Sequence, residues 1–174
     1  MLAVVSDSSP LIYLTRLGQL RLLHQLHGSV MIPQAVWQEV TVGGQGLPES
    51  VQVLRAITEG WIAVRSPSTP LTLQDARAAA LGRGELEAIA LARELGALLV
   101  TDDQDGKALA ESLGLPVTGT LGVLIKAKRA GHVPQLRPLV EQLRHETTFR
   151  MTDALFRQAL TEAGETDSGA PHIA

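Results

Sequence analysis

Residues 97–118, ALLVTDDQDGKALAESLGLPVT, decide the fold. ALLVT is a short apolar run that reads as a buried strand, QDGKALAESLG reads as a helix, and LPVT reads as a strand again. Strand, helix and strand in so short a span form a parallel crossover unit, because parallel neighbours cannot be joined by a tight turn. The pair Asp102-Asp103 stands where the first of these strands ends. In open parallel sheets, ligands gather outside the carboxyl ends of the strands.

The same alternation continues on both sides. Residues 2–6, SVMI (29–32) and WIAV (61–64) read as further short strands. Ser8 or Ser9 is expected to cap a first helix with Pro10 as its opening residue, ending near Gly18. Leucines 20, 22, 23 and 26 give a second helix, stopped by Gly28. A third starts at Pro33, turns Val36, Val40 and Trp37 to or near the core, and carries Glu39 near its end. Loops at 43–48 and 65–70 bracket a helix near 49–59. After the alanine-rich stretch 73–82, Gly82 and Gly84 break one helix and open another, with Glu85 in its first turn, where a carboxylate suits the helix dipole. Thr120 is expected to cap a helix through KAKRAG, and helices follow near 134–145 and 152–163. The chain closes with ETDSGAPHIA, where 166–174 are expected to form a flexible tail. The expectation is a single domain at 1–165, a three-layer α/β/α sandwich around a mostly parallel sheet.

Composition narrows the chemistry. The 174 residues are 45% hydrophobic, enough to bury a real core. No window reaches the roughly 18 unbroken apolar residues of a membrane span, and MLAVVSDSSP lacks the basic start of a signal peptide, so a cytoplasmic location is expected. Without cysteine there is no disulfide, no thiolate metal site and no thiol nucleophile. The net charge of −3 does not advertise nucleic-acid binding, but six basic residues between Lys126 and Arg150 (Lys126, Lys128, Arg129, Arg137, Arg144, Arg150) face only Glu141 and Glu146. That is the pattern of a phosphate-tracking rim, and equally of solvated helix faces.

Asp7 follows a strand, Glu39 and Glu85 lie on helices, and Asp102 and Asp103 end a strand. Each has an ordinary structural use as a cap, a turn residue or a solvated helix acid. Together they point to one edge of a parallel sheet, where carboxylates repel unless a divalent cation neutralises them. Other motifs fail on their spacing. An EF-hand aligned on Gly106 puts Thr101 first and Ser112 last, where a bidentate Glu is needed. Gly106-Lys107 lacks the Ser/Thr of a P-loop. The five histidines show no HExxH or triad order and read as surface or boundary residues. A phosphoacceptor domain would need an Asp after the third strand and a Lys after the fifth, where this chain has VRSP and VTGT.

The segments SDSSPLIYLTRLG (6–18), IPQAVWQEV (32–40), GRGELEAIALA (82–92), LLVTDD (98–103) and LPVTGTLGVLIKAKRAG (115–131), in that order and spacing, resemble the PIN-domain ribonucleases, in particular a VapC-like, toxin-related branch. The resemblance runs from about residue 3 to residue 165. It implies a carboxylate pocket holding Mg²⁺ or Mn²⁺, formed by Asp7, Glu85 and Asp103 or Asp102, with Glu39 completing it directly or through water. A metal-bound water would then hydrolyse a phosphodiester of RNA. Ser9 matches a small hydroxyl position that supports the first carboxylate, and Thr101 is a further supporting residue. Lys107, Lys126, Lys128 and Arg129 are the candidates for substrate phosphate. Relatives often carry Ala-Arg where this chain has Gly106-Lys107, which changes the reach of that cation. The same resemblance implies a cognate antitoxin and a homodimer as partners. The alternative is a PIN-like module that has lost catalysis and only binds RNA or protein.

Overall fold

The structure is a computed structural model that describes residues 2–71 and 76–166. All five expected strands form, as β1 (Val4–Ser6), β2 (Val30–Ile32), β3 (Ile62–Val64), β4 (Leu98–Val100) and β5 (Val117–Thr118). They pair in the order β3-β2-β1-β4-β5, every neighbour parallel. Successive strand side chains alternate between faces. Val5 and Leu99, paired in register, enter one apolar cluster, and Val4 and Val100 enter the other.

Helices cover both faces, which makes the three layers. On the Val5 side lie α5 (Ala76–Ala79), α6 (Arg83–Leu95) and α7 (Gln104–Ser112), burying Ala78, Ala88, Ile89, Leu91 and Leu109. The other side is built from α1 (Ser8–Arg16), α2 (Leu22–His27), α4 (Pro48–Thr58), α8 (Thr120–Arg129), α9 (Arg137–Glu146) and α10 (Asp153–Glu162). Leu11, Leu14, Leu124, Leu136, Leu143 and Leu160 are fully buried there. Between β2 and α4, helix α3 (Gln34–Trp37) runs on into a π-helical turn at Gln38–Val42, keeping Val36 and Val40 in the core.

Several details differ from the sequence reading. Asp7 itself is the residue before α1, so the helix starts at Ser8 and Pro10 falls two residues later than expected. Gly119 rather than Thr120 precedes α8, with Thr120 already in its first turn. Helix α9 begins at Arg137, not 134. Its start is held by Glu165, whose carboxylate accepts from the Leu136 N–H and, at 3.0 Å, from the Arg137 N–H. Glu165 therefore belongs to the folded body; 167–174, most of the expected tail, lie outside the described residues. His27 is not a boundary residue, being only 8% exposed.

Candidate functional site

In the sheet, β2 and β3 lie on one side of β1, and β4 and β5 on the other. Connections from β1 and β4 therefore leave in opposite directions, opening a crevice at their carboxyl ends. Asp7 follows β1 and the Thr101–Asp103 run follows β4, with the Asp7 N–H donating to the Val100 carbonyl at 3.1 Å.

The Asp7 side chain is 3% exposed. Thr101, 1% exposed, donates its hydroxyl to Asp7 Oδ2. Asp7 Oδ1 has no hydrogen-bond partner, and although Asp7 precedes α1 it makes no capping bond. Burial holds its carboxyl well above the usual range. The Thr101 hydrogen bond opposes that shift, while the charges of Asp102, Glu85 and Asp103 push it up further. These three acids are thus near enough to act on Asp7 electrostatically.

The others are held differently. Asp102 accepts from the Thr120 N–H at 2.8 Å with Oδ1 and from the Thr120 hydroxyl at 2.5 Å with Oδ2. Burial raises its pKa, against the two Thr120 bonds and the Lys107 charge. Asp103 caps α7, accepting from the Gly106 N–H at 2.7 Å, while its own N–H reaches Thr101 Oγ1 at 3.3 Å. Glu39, exposed on the π-helical turn, accepts from the Gly84 N–H at 3.1 Å and from the Ser8 hydroxyl. So Glu39, Asp102 and Asp103 each rest on the first turn of a helix, where unpaired N–H groups and the dipole favour negative charge. Asp7, the most buried of the four, has no such partner.

Two glycines admit the carboxylates. A Cβ on Gly84 would stand 2.4 Å from Glu39 Oε1, and one on Gly119 would stand 2.6 Å from Asp102 Oδ1 and 3.1 Å from the Thr101 carbonyl oxygen.

The crevice opens into a cavity of about 570 Å³. It is lined by Ser9, Glu85, Asp102, Asp103 and Lys107, and by Tyr13, Leu121, Ile125, Phe149 and Arg150. Ser9 reaches the cavity, but Thr101 provides the hydroxyl on Asp7, and the serine that engages an acid is Ser8. Lys126, Lys128 and Arg129 do not line it. They lie at the far end of α8, roughly 9–14 Å along the axis from Thr120. Lys128 donates to the Pro134 carbonyl at 2.8 Å and pairs with Glu165 at 3.9 Å. Arg150, one of the six basic residues read from the sequence as a phosphate-tracking rim, does line the cavity, whereas Tyr13 and Phe149 were not singled out there. Tyr13 carried a signal, being one helical turn beyond Ser9 on the same face; nothing in the local sequence marks Phe149.

An all-oxygen carboxylate set, one member buried with an unpartnered oxygen, suits a hard cation such as Mg²⁺ or Mn²⁺. As arranged, no three His, Asp or Glu side chains among the described residues close on a single ion.

Such a crevice in a parallel three-layer sheet, ringed by acids, defines a class of hydrolytic and ligand-binding α/β domains. A family model described as PIN domain matches residues 3–165, and the chain belongs to that family. PIN domains are generally nucleases, and typically use divalent metal ions. Among solved structures, the chain is similar to a PilT N-terminus domain protein from the hyperthermophilic archaeon Sulfolobus solfataricus, at 19% identity and a TM-score of 0.43, over 87% of this chain and 100% of that one. No curated protein matches it. No helix among the described residues is long and apolar enough to cross a membrane.

Proposed function

We propose that this protein is a metal-dependent ribonuclease that works in the Asp7 crevice. The observation that carries the reading is the Asp7 carboxylate: buried, without a partner on Oδ1, and electrostatically coupled to Asp102, Glu85 and Asp103. An isolated buried charge is costly, and a divalent cation is the natural counter-ion. Asp7, Glu85 and one or both late aspartates would hold Mg²⁺ or Mn²⁺, with Glu39 contributing from the rim. When bound, the ion lowers the pKa of water and neutralises charge on a phosphodiester. Thr101 fixes the Asp7 carboxylate through its hydroxyl, and Lys107, whose charge acts on Asp102, offers a cation to phosphate in the same cavity.

A cytoplasmic protein acting on RNA, with a cognate antitoxin and a homodimeric form, completes this reading. Val51 and Leu54, exposed on α4, and Leu47 just before it favour self-association, which sedimentation would measure. One observation favours the rival, a module that binds RNA or protein without cleaving: Glu39, Asp102 and Asp103 are already employed at helix starts. The test is cleavage of single-stranded RNA with added Mn²⁺. Cleavage lost in Asp7→Asn, with the fold intact, supports the nuclease. RNA binding without cleavage in the unaltered protein supports the rival.

A further inference from the structure

The aromatic residues of the cavity are not explained by holding a metal. The chain has only five aromatic residues of the Phe, Trp and Tyr type, and two of them, Tyr13 and Phe149, line this cavity half-buried while packing against the core. Their rings meet edge to face at 5.4 Å and 83°. The segment bearing Phe149 is fastened rather than loose. The Tyr13 hydroxyl lies 3.1 Å from Thr148 Oγ1, and the Phe149 N–H donates to Thr147 Oγ1 at 3.1 Å. Beside it Arg150 is exposed and lines the same cavity. Through this edge-to-face contact Tyr13 holds Phe149 at the wall, next to a cation, in a cavity that Lys107 and the acids also line.

We infer that Phe149, braced by Tyr13, is a stacking platform for one unpaired nucleobase of the RNA, with Arg150 meeting that nucleotide's phosphate. This rests on the ribonuclease reading and adds to it a base-holding subsite in the same cavity as the acids. Stacking on an aromatic face needs a base freed from a duplex, and it tolerates any base because each has a π face. The cation is what suits a nucleotide, which brings a phosphate together with its base, better than a purely apolar occupant. The cavity volume falls within the range of ordinary ligand pockets.

The experiment measures fluorescence anisotropy of a short labelled single-stranded RNA in Ca²⁺, against the same RNA with an abasic residue moved along it. In the unaltered protein, one abasic position is expected to weaken binding about tenfold while the others change little. Phe149→Ala is expected to lose about tenfold on intact RNA and nothing more on that abasic RNA, and Phe149→Trp to bind as the unaltered protein does. Arg150→Gln is expected to weaken all single strands alike and reduce the salt dependence. The inference is overturned if no abasic position weakens binding to the unaltered protein, a result that needs no variant to fold. It is also overturned if Phe149→Ala weakens intact and abasic RNA equally, or if RNA does not bind at all, which would leave Tyr13 and Phe149 to a protein partner. Cleavage in Mn²⁺ is scored separately. Base-dependent binding without cleavage keeps the platform and rejects the nuclease; cleavage indifferent to abasic position and to Phe149 does the reverse.

Discussion

Asp7 shows how one side chain can be structurally unfavourable and still have a use. Its folded pKa is raised well above the usual carboxylate value, so its ionised form costs the folded state. That cost is absent below the unfolded value and grows as pH rises through the folded one. Asp7→Asn, which keeps an oxygen for Thr101, is therefore expected to melt higher than the unaltered protein in chelator near about pH 7, the gap closing toward about pH 4. Thermal melts across that range check it; equal melting temperatures at neutral pH would contradict it. With Mn²⁺ present, the same variant should lose RNA cleavage by roughly a hundredfold or more.

Asp103 allows capping and catalysis to be separated. Asn caps a helix about as well as Asp, whereas Ala does not. Asp103→Asn should leave stability nearly unchanged and Asp103→Ala should cost about 1 kcal/mol by urea titration. If Asp103 holds metal, both lose activity; if it only caps α7, only the alanine variant is impaired, in proportion to its stability. The doublet could not be resolved from sequence for this reason. Both aspartates do helix-start work, one on its own helix and one on α8 across the crevice.

Among the elements, strands and most helices were legible because apolar spacing and glycine stops fix them locally. All five strands appear, and α6 and α7 lie where periodicity put them. What was not legible was long-range. Nothing near Glu39 says that its carboxylate will lie on the Gly84 N–H, forty-five residues away. Nothing around Phe149 says that it will meet Tyr13. The rim of cations from Lys126 to Arg150 was read from density of charge along the chain, but helix direction carries Lys126, Lys128 and Arg129 away from the crevice, Glu165 pairs with Lys128, and Arg150 alone of the six lines the cavity. Glycine spacing hinted at closeness without naming the neighbour. Gly119→Ala is expected to destabilise the protein by about 1–3 kcal/mol, because the new methyl meets Asp102 and the Thr101 carbonyl. Gly84→Ala should cost less, since only the flexible end of Glu39 must move. Parallel denaturation curves of the two variants test this ranking.

For the whole molecule, the sheet order brings two strand ends together, and those ends carry the residues on which the proposed chemistry depends. Divalent cations should then raise the melting temperature in a concentration-dependent way, as any ligand selective for the folded state does. Mg²⁺ or Mn²⁺ titrated against thermal unfolding is expected to stabilise the unaltered protein and to leave Asp7→Asn unmoved; an equal rise in both would place the ion elsewhere. The remaining acids explain why the body should not collapse without its cation. Glu39, Asp102 and Asp103 fasten the beginnings of α6, α8 and α7 by direct hydrogen bonds. Stripped with EDTA, the protein is expected to stay intact and soluble on the bench, a dormant stock that can be dialysed, stored and recharged, unlike small zinc-dependent domains that unravel once chelated.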